Sequence, residues 1–73
     1  MTTFAHGGAM IRRCRKGYGL TQAELADRMG IWKGSLDKSE RTANVQLDTL
    51  LAVSAACGLS LTEMVKRFGK EPA

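Results

Sequence analysis

Side chains that could do chemistry are few in this sequence, and their types suit binding better than catalysis. His6 is the only histidine, and Cys14 and Cys57 are the only cysteines. No nucleophile stands with a base, no two carboxylates are placed for paired acid and base work, and nothing has the spacing of a zinc site. An enzyme, a cofactor and a bound metal are therefore not expected. What the sequence offers instead is positive charge. Eight basic residues (Arg12, Arg13, Arg15, Lys16, Arg28, Lys33, Lys38 and Arg41) fall in residues 1–45 against four acidic ones (Glu24, Asp27, Asp37 and Glu40). In residues 46–73, Lys66, Arg67 and Lys70 cancel Asp48, Glu63 and Glu71, so the whole net charge of +4 sits in the first part of the chain. A modest charge serves solubility in any case, but its concentration there suits an anionic partner.

The elements that must position these groups are limited by length. A chain of 73 residues has room for one domain and a core just large enough to fold without metal or disulfide, which excludes a two-domain enzyme. The composition is 44% hydrophobic but only 5% aromatic, so that core is packed mainly with aliphatic side chains. Two cysteines without C-x-x-C spacing do not make a disulfide framework and fit a reducing compartment. No apolar run approaches the roughly 20 residues that span a bilayer, and the N-terminus lacks the order of a signal peptide. A cytoplasmic protein with no membrane partner is expected.

Residues 1–8 show no periodicity and read as a loose arm, with His6 given no role beyond it. From Ala9 to Lys16, Met10, Ile11 and Cys14 recur at helical spacing until Gly17 and Gly19 end the pattern. Thr21 followed by Glu24 is a capping box that starts a helix at Gln22, with Leu25, Ala26 and Met29 inward and Gly30 as its left-handed end. Ile31 then fills the corner before a short helix from about Lys33 to Glu40, anchored by Leu36. Thr42 to Gln46 connects it to a fourth helix facing inward through Leu47, Leu50, Val53, Ser54 and Cys57 and closed by Gly58. Ser60 and Glu63 form a second capping box opening a fifth helix with Leu61, Met64 and Phe68 buried. Residues 69–73 read as a fraying tail. No alternating strand pattern occurs, so the fold class is all-α, a compact bundle of five short helices over residues 9–68.

Together these segments resemble the helix-turn-helix family of the lambda, 434 and Cro-type phage repressors, also called XRE-like. The resemblance runs from Ile11 to Val65 through I-R-R-C-R-K, then G-L-T-Q-A-E-L-A-D-R-M-G-I, L-D-T-L-L and G-L-S-L-T-E-M. The motif itself covers about residues 21–40. Alanine at position 26 and glycine at position 30 suit the tight crossing of its two helices, which Leu20, Leu25, Ile31 and Leu36 then lock.

The resemblance implies double-stranded DNA as partner, the third helix in the major groove and the second over the backbone. It places Thr21 and Gln22 at a phosphate, with Gln22 also bracing a base-reading side chain. Lys33, Gly34 and Ser35 become the base-facing start of the third helix, where lysine can donate to guanine O6 and N7. Lys38 reaches phosphate or base unless Asp37 points the same way, and Asn44 matches a loop contact to phosphate. Arg12 is read as a phosphate contact and Arg15 as an internal ion pair. Cys14 and Cys57 stand where relatives carry leucine, which makes them core fillers, with a redox switch as the alternative.

Three departures from the family stand out. Trp32 replaces the usual serine or threonine cap of the third helix, and it can meet DNA, anchor a protein partner or fold back on the domain. Ser39 replaces an apolar residue. Glu40 and Arg41 pass directly to Thr42 where a glycine is usual, so the end of this helix is expected to be tightened or re-registered. One module of this kind covers only about 600–1,000 Å² of DNA, so a homodimer is expected, pairing through Leu51, Ala52, Ala55, Ala56, Met64, Val65 and Phe68. The implied function is a sequence-specific DNA-binding transcriptional regulator acting as a repressor. The alternative is a protein-interaction module, such as an antitoxin that binds a toxin, or an antiactivator.

Overall fold

Side-chain caps open two of the five helices among the described residues, at Thr21 and Ser60. In the computed structural model, which describes residues 3–69, the helices are α1 (Gly7–Gly17), α2 (Gln22–Met29), α3 (Lys33–Arg41), α4 (Leu47–Ala56) and α5 (Leu61–Phe68). Two short strands, β1 (Thr3–Phe4) and β2 (Val45–Gln46), pair antiparallel with Phe4 opposite Val45. Glycines at positions 19, 30 and 58 adopt the left-handed conformation that reverses the chain between helices. The core gathers Met10, Ile11 and Cys14 of α1, Leu25 and Ala26 of α2, Leu36 of α3, Leu50 and Val53 of α4, and Met64 of α5, with Leu20 and Val45 closing it. The fold is the expected five-helix all-α type. No single helix among the described residues is long and apolar enough to cross a membrane.

Both capping boxes open helices, but only the first is complete. The Thr21 hydroxyl accepts from the Glu24 N–H at 3.1 Å, and the Thr21 N–H donates to Glu24 Oε1 at 2.9 Å. At α5 the Ser60 hydroxyl accepts from the Glu63 N–H, yet the Glu63 carboxylate takes the hydroxyl of Ser60 at 3.4 Å instead of its backbone. The Thr21 backbone N–H, then its hydroxyl, hold the Glu24 carboxyl below the usual carboxylate range, with Arg28 adding to the effect. A carboxyl whose pKa is lowered by folding stabilises the fold above its unfolded pKa and loses that contribution as pH falls through the folded value. Glu24→Gln is therefore expected to melt below the native protein at neutral pH, and the gap should close as the pH drops beneath the carboxylate range. Thermal melts across pH 2–7 would show it; a gap independent of pH would refute the charged box.

Two expectations need correction. Residues 3–8 are not a loose arm: β1 occupies Thr3–Phe4, α1 begins at Gly7, and Phe4 packs against the core. The reason is tertiary, because β1 needs β2 as its partner and the Gly7 N–H donates to the Ala43 carbonyl at 2.9 Å. His6 enters α1 with φ 59°, the only non-glycine in the left-handed region among the described residues. Ile31 does not fill the corner: it is 38% exposed, and Leu36 alone anchors α3 in the core. The tail from residue 70 lies outside the described residues, while Gly69 caps α5.

Candidate nucleic-acid interface

α3 presents its first turn to solvent. Lys33, Gly34 and Ser35 are exposed, and Trp32, which precedes them, is 84% exposed. The first turn of any helix leaves backbone N–H groups without partners inside it. Here Trp32 supplies no side-chain cap, while its carbonyl accepts from Ser35 and Leu36. The amides of Lys33 and Gly34 thus remain at the positive end of the helix dipole, beside the Lys33 ammonium, where an acceptor or anion is favoured. Trp32 has not folded back onto the domain, which removes one of its three readings.

Behind that turn a polar network fixes α3 against α1 and α2. Arg15 donates from Nε to Glu40 Oε2 at 2.7 Å, from Nη2 to Oε1 at 3.1 Å, and from Nη1 to the Leu20 carbonyl at 2.9 Å. Gln22 donates its amide to Asp37 Oδ1 at 3.0 Å and to Glu40 Oε1 at 3.3 Å. Asp37 in turn pairs with Arg41 Nε at 3.3 Å. The six residues Arg12, Arg15, Gln22, Asp37, Glu40 and Arg41 line an open polar cavity of about 230 Å³. Arg15 thus occupies the internal ion pair expected of it. The Gln22 N–H donors are engaged with α3, leaving its carbonyl and not its amide as the free group. Asp37 faces Gln22 and Arg41, so it does not share the direction feared for Lys38, which is exposed. The Asp37–Arg41 pair adds to the expected contacts, and its i to i+4 spacing is visible in the sequence.

The other expected contacts divide by position. Arg12, Thr21, Lys38 and Asn44 are exposed. The missing glycine after α3 is replaced by a tight exit. Thr42 is extended with φ −83°, its N–H donates to the Ser39 carbonyl, and its hydroxyl donates to the Lys38 carbonyl at 2.8 Å. Ser39 donates its hydroxyl to the Ser35 carbonyl at 3.1 Å.

The residues expected at a dimer surface are not all available. Met64 is fully buried within its own chain. Phe68 lies half-buried against α1, its ring centroid 6.0 Å from that of Tyr18 and its carbonyl accepting from Arg13 Nε at 2.8 Å. Ala56 packs on the core. Helical periodicity marks these three as apolar without saying which apolar face is covered. Leu51, Ala52, Ala55 and Val65 are exposed.

The crossed pair α2 and α3, with a buried small residue at the crossing and an open first turn on α3, defines a helix-turn-helix protein. A sequence profile of the helix-turn-helix family matches residues 11–64, about three quarters of the chain. The chain belongs to that family of DNA-binding transcription regulators. Among solved structures, the master regulator for biofilm formation SinR in complex with DNA is 32% identical, with a TM-score of 0.64 over 80% of this chain and 95% of that one. The clp gene regulator ClgR from Corynebacterium glutamicum is 29% identical, with a TM-score of 0.73 over 89% of this chain and 70% of that one. A complex of the SinR and SinI proteins gives 29% identity and a TM-score of 0.66 over 89% of this chain and 67% of the other. No protein of curated function matches the sequence.

Proposed function

We propose that this protein is a cytoplasmic, sequence-specific repressor that binds double-stranded DNA as a homodimer, with α3 in the major groove. The observation that carries this is the open first turn of α3, where Lys33, Gly34 and Ser35 stand exposed beside uncapped amides. In this reading Lys33 meets a guanine edge, Ser35 a base or phosphate, and Trp32 the methyl face of a thymine or a sugar. Thr21, Arg12, Lys38 and Asn44 hold phosphates. Gln22 orients α3 through Asp37 and Glu40 and offers its carbonyl outward. The likeness to SinR, solved with DNA, supports the same docking.

Selection of bound sequences from a random pool would supply the operator, and titrations at several salt concentrations would test the contacts. Lys33→Ala is expected to cost about 1–3 kcal/mol of binding, roughly 5- to 150-fold, with an unchanged melting temperature. Gln22→Ala should weaken binding and also lower stability by about 1 kcal/mol, since it loses two hydrogen bonds to α3. If Lys33→Ala bound every sequence as tightly as the native protein, base reading by α3 would be wrong.

The dimer uses Leu51, Ala52, Ala55 and Val65, the exposed apolar residues of α4 and α5. Sedimentation should find a dimer at micromolar concentration, and Leu51→Asp should sediment as a folded monomer. A native monomer at that concentration would sink the proposal.

A second reading rests on Trp32, 84% exposed beside Ile31 at 38%. Such an apolar pair suits a protein partner, a toxin or an activator, and the SinR and SinI complex shows a relative with one. Trp32→Ala would then abolish partner capture while leaving DNA affinity intact; loss of DNA affinity instead supports the first reading.

A further inference from the structure

Outside the polar face, the core holds two thiols in contact. Cys14 Sγ lies 3.6 Å from Cys57 Sγ, and both are free. We propose that Cys14 and Cys57 are an oxidisable dithiol, closing to an intrachain disulfide that ties α1 to the end of α4. This inference stands apart from the DNA reading.

The geometry fits in three respects. A disulfide holds its sulfurs at about 2.05 Å, so closure asks the pair to approach by about 1.5 Å. Cys57 is the side that can move: it caps the C-terminal end of α4 and is followed by Gly58, whose φ of 73° lies in the left-handed region. Access is also unequal. Cys14 is wholly buried in α1, whereas Cys57 is only partly covered. Burial, then the hydrogen bond to Cys57, push the Cys14 thiol up to about 12, so Cys14 keeps its proton at neutral pH. Cys57 is therefore the thiol that meets an oxidant first.

With a small disulfide RSSR as oxidant, Cys57 loses its proton and its sulfur attacks one sulfur of RSSR, expelling RS⁻ and forming a mixed disulfide. Cys14 then gives up its proton as its sulfur attacks Cys57 Sγ and expels the second RS⁻. The balance is two protein thiols and RSSR giving one protein disulfide and two RSH. The bond closes a loop of more than forty residues, which restricts the unfolded chain. It also braces α1 one residue before Arg15, the side chain that holds α3.

The test is to incubate the reduced full-length protein with oxidised glutathione under native conditions, then alkylate and weigh it. The expected product is a single chain with both thiols lost and no glutathione retained, restored by dithiothreitol and melting above the reduced form. Cys57→Ser should leave Cys14 unmodified. A stable glutathione adduct on Cys57 with Cys14 still free, a disulfide between two chains, two untouched thiols, or a cross-linked chain melting at or below the reduced one would each overturn the proposal.

Discussion

Arg15→Ala is expected to destabilise the domain by about 3–5 kcal/mol, the usual loss when one partner of a buried ion pair is removed. The two side chains are only 12% and 4% exposed. The guanidinium satisfies both oxygens of Glu40 and also the Leu20 carbonyl. Without it, the carboxylate stays buried with only the Gln22 amide, 3.3 Å from Oε1, as a partner. A domain of this size has about 4–11 kcal/mol in total, so the substitution takes a large share. Arg15→Lys should fall between the two, because an ammonium cannot fork onto both oxygens. Replacing the pair together, Arg15→Met with Glu40→Leu, should cost less than Arg15→Ala alone, since no charge is then stranded. Urea titrations of the variants would decide it. A melting temperature for Arg15→Ala within a degree or two of the native value would mean the pair holds nothing.

The second large effect is expected at Gly8. A methyl group placed there would stand 2.7 Å from the carbonyl oxygens of Glu40 and Ser39 and press on that of Thr42. These are backbone atoms, so no side chain can swing aside, and the start of α1 must lift from the end of α3. Overpacking of this kind costs about 1–3 kcal/mol or more. That loss exceeds the gain of up to about 1 kcal/mol that alanine brings over glycine in a helix. Gly34 in α3 is the control, since nothing lies within 4 Å of a methyl there. Gly34→Ala should therefore raise the melting temperature while Gly8→Ala lowers it. Equal signs for the two substitutions would show that the contact between α1 and the exit of α3 is not tight.

The contrast between Gly8 and Gly34 marks how far the sequence could be read. Local chemistry was legible: Thr21 with Glu24, the left-handed Gly30 and Gly58, and the apolar stripes through Ile11, Leu25, Leu36 and Leu50 act through neighbours in the chain. The exposed start of α3, from Trp32 to Ser35, was legible too, because solvent exposure at a helix start needs no distant partner. Contacts between remote segments were not. Gly7 and Gly8 read as arm residues, since nothing nearby in sequence shows that α3 ends against them. Met64 and Phe68 read both as inward residues of the fifth helix and as part of a pairing surface, since hydrophobicity has no direction until α1 is packed on α5.

Cys14 and Cys57 show the same division, two separate core fillers in sequence and one contact in space. The uneven placement of charge, with the whole excess in residues 1–45, was decided by sequence alone, because charge and residue type do not depend on folding. How that charge is used was decided only by the tertiary structure. Packing turns Arg15 inward onto Glu40 and Gln22 onto α3, and it leaves Lys33 facing out, because burying a charge is tolerable only where a partner already waits.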